Sequence, residues 1–215
     1  MSSYIDWTKT SKSNDYRGSS SFATFMIIGP TCFFLGILFA AFPYDFPLLW
    51  TKAPLPETFL DELETHLKFL HQSPPIIARL LNIIGTVGFI GLFWKLFRPS
   101  EANFLFDGAS LILYSIGVAV YIANIVKGLR LVSSGIWDTD KGLRHGSEPG
   151  EVILSREDSL KVMAASNTIL ALVLVGVLVL QAGQWYAEKR ELEDEKEIEQ
   201  KEAAPANKAA SKKKQ

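Results

Sequence analysis

Apolar and polar positions are segregated along this chain. No Asp, Glu, Lys or Arg falls within 22–42, 80–94, 108–126 or 162–187, and compact charged segments lie between these runs. A water-soluble helical fold spreads charge along the outer face of each helix. The segregation therefore predicts a membrane protein. A helix rises 1.5 Å per residue and the hydrocarbon core is about 30 Å thick, so a span needs roughly 20 mostly apolar residues. Four segments qualify: 22–42, 76–96, 106–126 and 162–186. The expected fold is an all-α membrane protein, a four-transmembrane-helix bundle. A polar leader occupies 1–21, the membrane domain 22–186, and a charged, partly helical tail 187–215. Charged residues at span edges, such as Arg79 and Asp107, are expected to reach the headgroups.

The pattern changes outside the spans. Phe59, Leu60, Leu63, Leu67 and Leu70 recur at helical spacing opposite Asp61, Glu62 and Glu64. This predicts an amphipathic helix over 57–71, lying on the membrane surface or packed over the bundle. Pro74 and Pro75 end it. The 127–161 loop is rich in Gly, Ser and Asp and reads as irregular, with Trp137 as a docking residue. After Tyr186 a charged helix is expected, held by pairs such as Glu197 and Lys201, giving way to disorder from Ala203.

Composition narrows the functional classes. The formal net charge of −1 excludes a general affinity for nucleic acid. The single cysteine, Cys32, permits no intrachain disulfide and no thiolate cluster. A cleaved signal peptide is the competing reading of the first span, given Ala40 and Ala41, but the long polar leader and the length of the apolar run argue against it. No phosphate-binding loop, His-Glu-x-x-His or nucleophile elbow is present. Tyr44-Asp45 lacks the Gly-x-Gly-Asp partner of an intramembrane aspartyl protease. No enzymatic activity, cofactor or metal is therefore expected. Near the spans, nine Lys and Arg lie on the side holding both termini and eight on the other. The positive-inside rule thus leaves orientation open.

Polar residues inside the spans are the candidate contacts. Asn82, Asn124 and Asn167 fall in one leaflet, whichever way the chain is inserted, because successive spans reverse direction. An unpaired amide is costly in hydrocarbon. Each is therefore either glue within the bundle or a contact for another membrane protein. Asp45 lies toward the same leaflet and is expected to pair with Arg79. Small residues at Gly85, Gly88 and Gly91, at Gly36 and Ala40, at Ala109 and Gly117, and at Gly176 and Gly183 predict close helix contacts.

Two stretches carry a family resemblance: "FFLGILFAAFPYDFPLLW" at 33–50 and "AASNTILALVLVGVLVLQAGQWYAE" at 164–188. With four spans and a charged tail, the chain resembles the fungal endoplasmic-reticulum packaging chaperone for amino-acid permeases. That resemblance implies a resident membrane protein with both termini cytosolic. It also implies that the spans protect newly made permeases from aggregation and that the tail recruits COPII coat components. A small transporter or channel subunit, or a structural membrane scaffold, is the alternative. Lys212 and Lys213 stand four and three places from the C-terminus, the spacing of a dilysine retrieval signal read by the COPI coat. Such a signal acts only on a cytosolic tail, in agreement with the orientation that the resemblance implies.

Overall fold

The computed structural model describes residues 16–52, 54–97, 101–135 and 155–212. Its elements are α1 (Tyr16–Trp50), α2 (Glu57–His71), α3 (Pro75–Leu96), α4 (Glu101–Val120), a π-helical turn (Tyr121–Val126), α5 (Lys127–Ser134) and α6 (Arg156–Lys212). Among the described residues four helices are long and apolar enough to cross a membrane: Phe22–Trp50, Pro75–Leu96, Phe104–Ser134 and Arg156–Ile198. The protein is an all-α four-helix membrane protein. Neighbouring spans form a ring: α1 packs on α3 and α6, and α4 packs on α3 and α6. Reversal of direction at each connection puts the start of α1 and the end of α6 toward one end of the bundle and α2 at the other.

Two apolar clusters hold the bundle. Ile27, Leu92, Tyr114, Leu170, Leu174 and Val177 form the central one, drawn from all four spans. Leu48, Leu60, Leu63, Val132, Leu160, Met163 and Ala164 form the other, at the end away from the termini. There α2 lays its apolar face over α5 and the start of α6. Arg156 fastens it, with a nitrogen 2.6 Å from Asp61 and another 2.7 Å from Glu64.

Glycines permit the closest approaches. A methyl group at Gly88 would lie 2.4 Å from Tyr114 Oη, and one at Gly91 would lie 2.9 Å from Met26 of α1. Gly36 does not behave as expected. It has nothing within 4 Å of the Cβ position, and both it and Ala40 are exposed. Small residues permit a contact but do not create one.

Three elements outrun the pattern. α1 continues past residue 42, through Pro43 and Pro47, to Trp50. Burial of Asp45 and Leu48 against the bundle holds this extra length. The third span also continues beyond 126, through the π-helical turn into α5, so Lys127 and Arg130 are helical rather than in an irregular loop. That helix stops at Gly135, whose φ of 62° is left-handed and whose N–H donates to the Leu131 carbonyl at 3.1 Å. Trp137 lies outside the described residues. Finally, α6 passes through Ala203 and Pro205 to Lys212, where disorder was expected. Alanine, the strongest helix former, supplies five of the eight residues from 203 to 210.

Candidate functional site

The bundle holds polar groups at two depths. Toward the termini, Lys95 of α3, Asp107 and Ser110 of α4, and Gln181 and Gln184 of α6 converge. All five are buried, Lys95 at 4 % exposure and Asp107 at 0 %. Lys95 Nζ donates to Gln181 Oε1 at 2.9 Å and to Gln184 Oε1 at 2.8 Å, and lies 3.2 Å from Asp107 Oδ1. The three protons of the ammonium therefore match three acceptors. Asp107 in turn accepts from Gln181 Nε2 at 3.0 Å and from Gln184 Nε2 at 2.9 Å, while Gln181 Nε2 also reaches Ser110 Oγ at 3.2 Å. The cluster is neutral as a whole and ties three spans in one register.

This cluster corrects an expectation. Asp107 does not reach toward headgroups. It turns inward with Lys95, because each charge finds an opposite charge and two amides there. An unpaired ion in this medium costs several kcal/mol. The signal was present in the sequence. Asp107 and Ser110 are three apart, as are Gln181 and Gln184, so each pair shares one helix face.

The second polar layer lies toward α2. Asn167 Nδ2 donates to Asp45 Oδ2 at 3.0 Å, joining α6 to α1. Asp45 is buried. The preceding residue, Tyr44, stacks on His66 of α2 with ring centroids 4.7 Å apart. The expected pairing of Asp45 with Arg79 does not form. Arg79 is exposed near the start of α3, while α1 turns Asp45 toward α6. The three asparagines therefore part company. Asn167 sits within the bundle, and Asn82 and Asn124 are exposed on its outside. Neither of their amides meets a partner among the described residues. The π-helical turn that carries Asn124 presents Tyr121 through Asn124 as an exposed run.

Trp94, Trp185 and Tyr186 are exposed at the level of the first cluster, and Tyr44, Trp50 and Tyr121 face outward nearer the second. These belts mark the two membrane surfaces. At the far end Lys212 is the last residue of α6, and Lys213 lies outside the described residues.

Comparison with known proteins shows the family. The family model described as "ER membrane protein SH3", the SHR3 chaperone family, matches residues 18–215. The secretory component protein psh3 of Schizosaccharomyces pombe is 24% identical over 172 residues, covering 79% of this chain and 71% of that protein. No solved structure matches the chain. A four-span bundle with these polar layers, matched over nearly its whole length, belongs to the SHR3 family of endoplasmic-reticulum membrane chaperones.

Proposed function

We propose that this chaperone shields the spans of newly made amino-acid permeases and promotes their packaging into COPII vesicles. The observation that carries the reading is the division of its polar residues. Asp45 and Asn167 satisfy each other, so they serve the bundle. Asn82 and Asn124 face outward on the second and third spans. Polar side chains in a membrane normally face protein or a water-filled cavity. Those on the outside of this bundle are suited to the unpaired faces of a client whose own helices have not yet docked.

In this reading both termini are cytosolic, as the family resemblance implies, and α2 lies in the lumen. From Tyr186 to Lys212 α6 rises about 39 Å at 1.5 Å per residue. That length sets coat-binding residues away from the membrane surface while the bundle remains with its cargo. Lys212 and Lys213 are proposed to return escaped chaperone through COPI.

The deciding experiment is deletion of the gene in the native cell, followed by location of the amino-acid permeases. Retention and aggregation of permeases in the endoplasmic reticulum is the expected result, with other multi-span cargo reaching the plasma membrane. Normal permease delivery overturns the proposal. A second measurement separates the asparagines: Asn82→Leu with Asn124→Leu should weaken permease crosslinking without altering bundle stability, whereas Asn167→Leu should destabilise the bundle.

A further inference from the structure

The first half of α3 is its more exposed half, with only Leu81 and Ile84 half-buried ahead of Gly85. Contacts of α3 with neighbouring spans include Gly85, which faces Phe34 of α1 and whose carbonyl accepts from Tyr114 Oη at 3.2 Å. They continue through Gly88, Phe89, Gly91, Leu92 and Lys95 toward the termini. On the other side of Gly85, residues 75–80 are all exposed, and no residue before Phe89 joins either apolar cluster. This segment is nonetheless inside the span. Pro75 starts the helix, so Asn82, seven residues later, is about 10 Å deep along the axis.

The exposed segment is not uniformly apolar, as a lipid-facing surface would be. Arg79, Asn82, Ile83 and Thr86 follow the i, i+3, i+4, i+7 spacing of one helix face, and all four are exposed. Thr86 satisfies its hydroxyl on the Asn82 carbonyl oxygen at 2.8 Å. The Arg79 guanidinium and the Asn82 amide have no partner among the described residues. Arginine can reach up to headgroups. Asparagine is too short to do so from this depth. Lipid tails offer it neither donor nor acceptor.

We infer that the free end of α3 docks a client transmembrane helix that carries a carboxylate about one turn inside the membrane surface nearest α2, with a polar group one turn deeper. Arg79 and Asn82 are three residues apart, about 4.5 Å along the axis, which sets the spacing of those two client groups. The guanidinium fork pairs with the carboxylate, and the amide pairs with the deeper group. A second copy of this chain is the wrong occupant. A two-fold contact through this face brings Arg79 against Arg79, and residues 75–90 contain no acid to separate them. The inference rests on the chaperone reading and adds to it the docking element and the chemistry of the helix recognised.

The test uses the full-length protein in native membranes, with a photoreactive amino acid at Ile83 and a control at Leu172, exposed on the fourth span. Three single-span Leu-Ala probe helices carry Asp, Asn or Leu one turn from the α2-side surface. A newly synthesised amino-acid permease serves as the client. The expected result is adduct formation from Ile83 in the order Asp, Asn, Leu. Arg79→Leu should lower the Asp and permease adducts about three- to thirtyfold, Asn82→Leu should lower the permease adduct while leaving the Asp probe adduct unchanged, and Arg79→Glu should abolish the preference for Asp. The Arg79 and Asn82 side chains have no hydrogen-bond or ion-pair partner among the described residues, so detergent size profile and thermal transition should match wild type. Equal adducts for all three probes, adducts only with lipid, or adducts with a second copy overturn the inference. Permease that co-purifies and crosslinks from Leu172 but not from Ile83 overturns this inference alone. Permease that fails to co-purify with the wild type overturns the chaperone reading as well.

Discussion

Replacing Lys95 with methionine removes the cation while keeping nearly the same length of side chain. In the native bundle the ammonium serves Asp107, Gln181 and Gln184, and each of those groups is buried. Without it the Asp107 carboxylate keeps only the two glutamine amides, and both glutamine carbonyls lose a donor. Removing one partner of a buried ion pair costs about 3–5 kcal/mol. That lowers the folded-to-unfolded ratio by between about a hundredfold and several thousandfold. The double variant Lys95→Met/Asp107→Leu removes both charges together. Its stability should lie within about 1–2 kcal/mol of wild type, since an apolar replacement of a buried pair is often close to neutral. The cycle should therefore show a coupling of at least about 2 kcal/mol. Unfolding by denaturing detergent in micelles, followed by helical circular dichroism, measures all four proteins. A single variant that costs less than about 1 kcal/mol, or a double variant that costs the sum of the singles, would refute the charge-pair argument.

Three shorter predictions rest on the glycine packing, the Arg156 ion pairs and the C-terminal lysines. Gly88→Ala places a methyl against the buried Tyr114 ring and should cost about 1–3 kcal/mol in thermal unfolding, whereas Gly36→Ala, with open space around it, should be neutral or stabilising by up to about 1 kcal/mol. Arg156→Ala removes the ion pairs to Glu57, Asp61 and Glu64. These pairs are partly exposed, so global stability should fall by only about 1 kcal/mol, while hydrogen exchange in α2 rises ahead of exchange in the spans. Lys212→Ser with Lys213→Ser should shift steady-state location toward the Golgi by microscopy, and an unchanged distribution would leave the lysines without a retrieval role.

The four spans were legible because hydrocarbon imposes one requirement on every residue of a crossing helix. A charge-free run long enough to cross satisfies it locally, without reference to any neighbour. Helix ends were less legible. α1 passes Pro43 and Pro47 because Asp45 and Leu48 gain partners on α6 and α2, which no local rule contains. The third span likewise continues beyond Val126 because Val132 buries under α2.

The candidate contacts divide along the same line. From its residues alone, the chain determines that it crosses a membrane four times, that α2 has one apolar face, and that three asparagines share a leaflet. Those properties follow from helix rise, side-chain period and span reversal. Only the tertiary structure decided which polar groups are already spent. Asn167 meets Asp45 across a sequence separation of 122 residues, Lys95 meets Asp107 instead of water, and the side chains of Arg79 and Asn82 have no hydrogen-bond or ion-pair partner among the described residues. Whether a buried amide is glue or a docking group depends on what stands within about 3 Å of it, and that distance is set by the packing of whole helices.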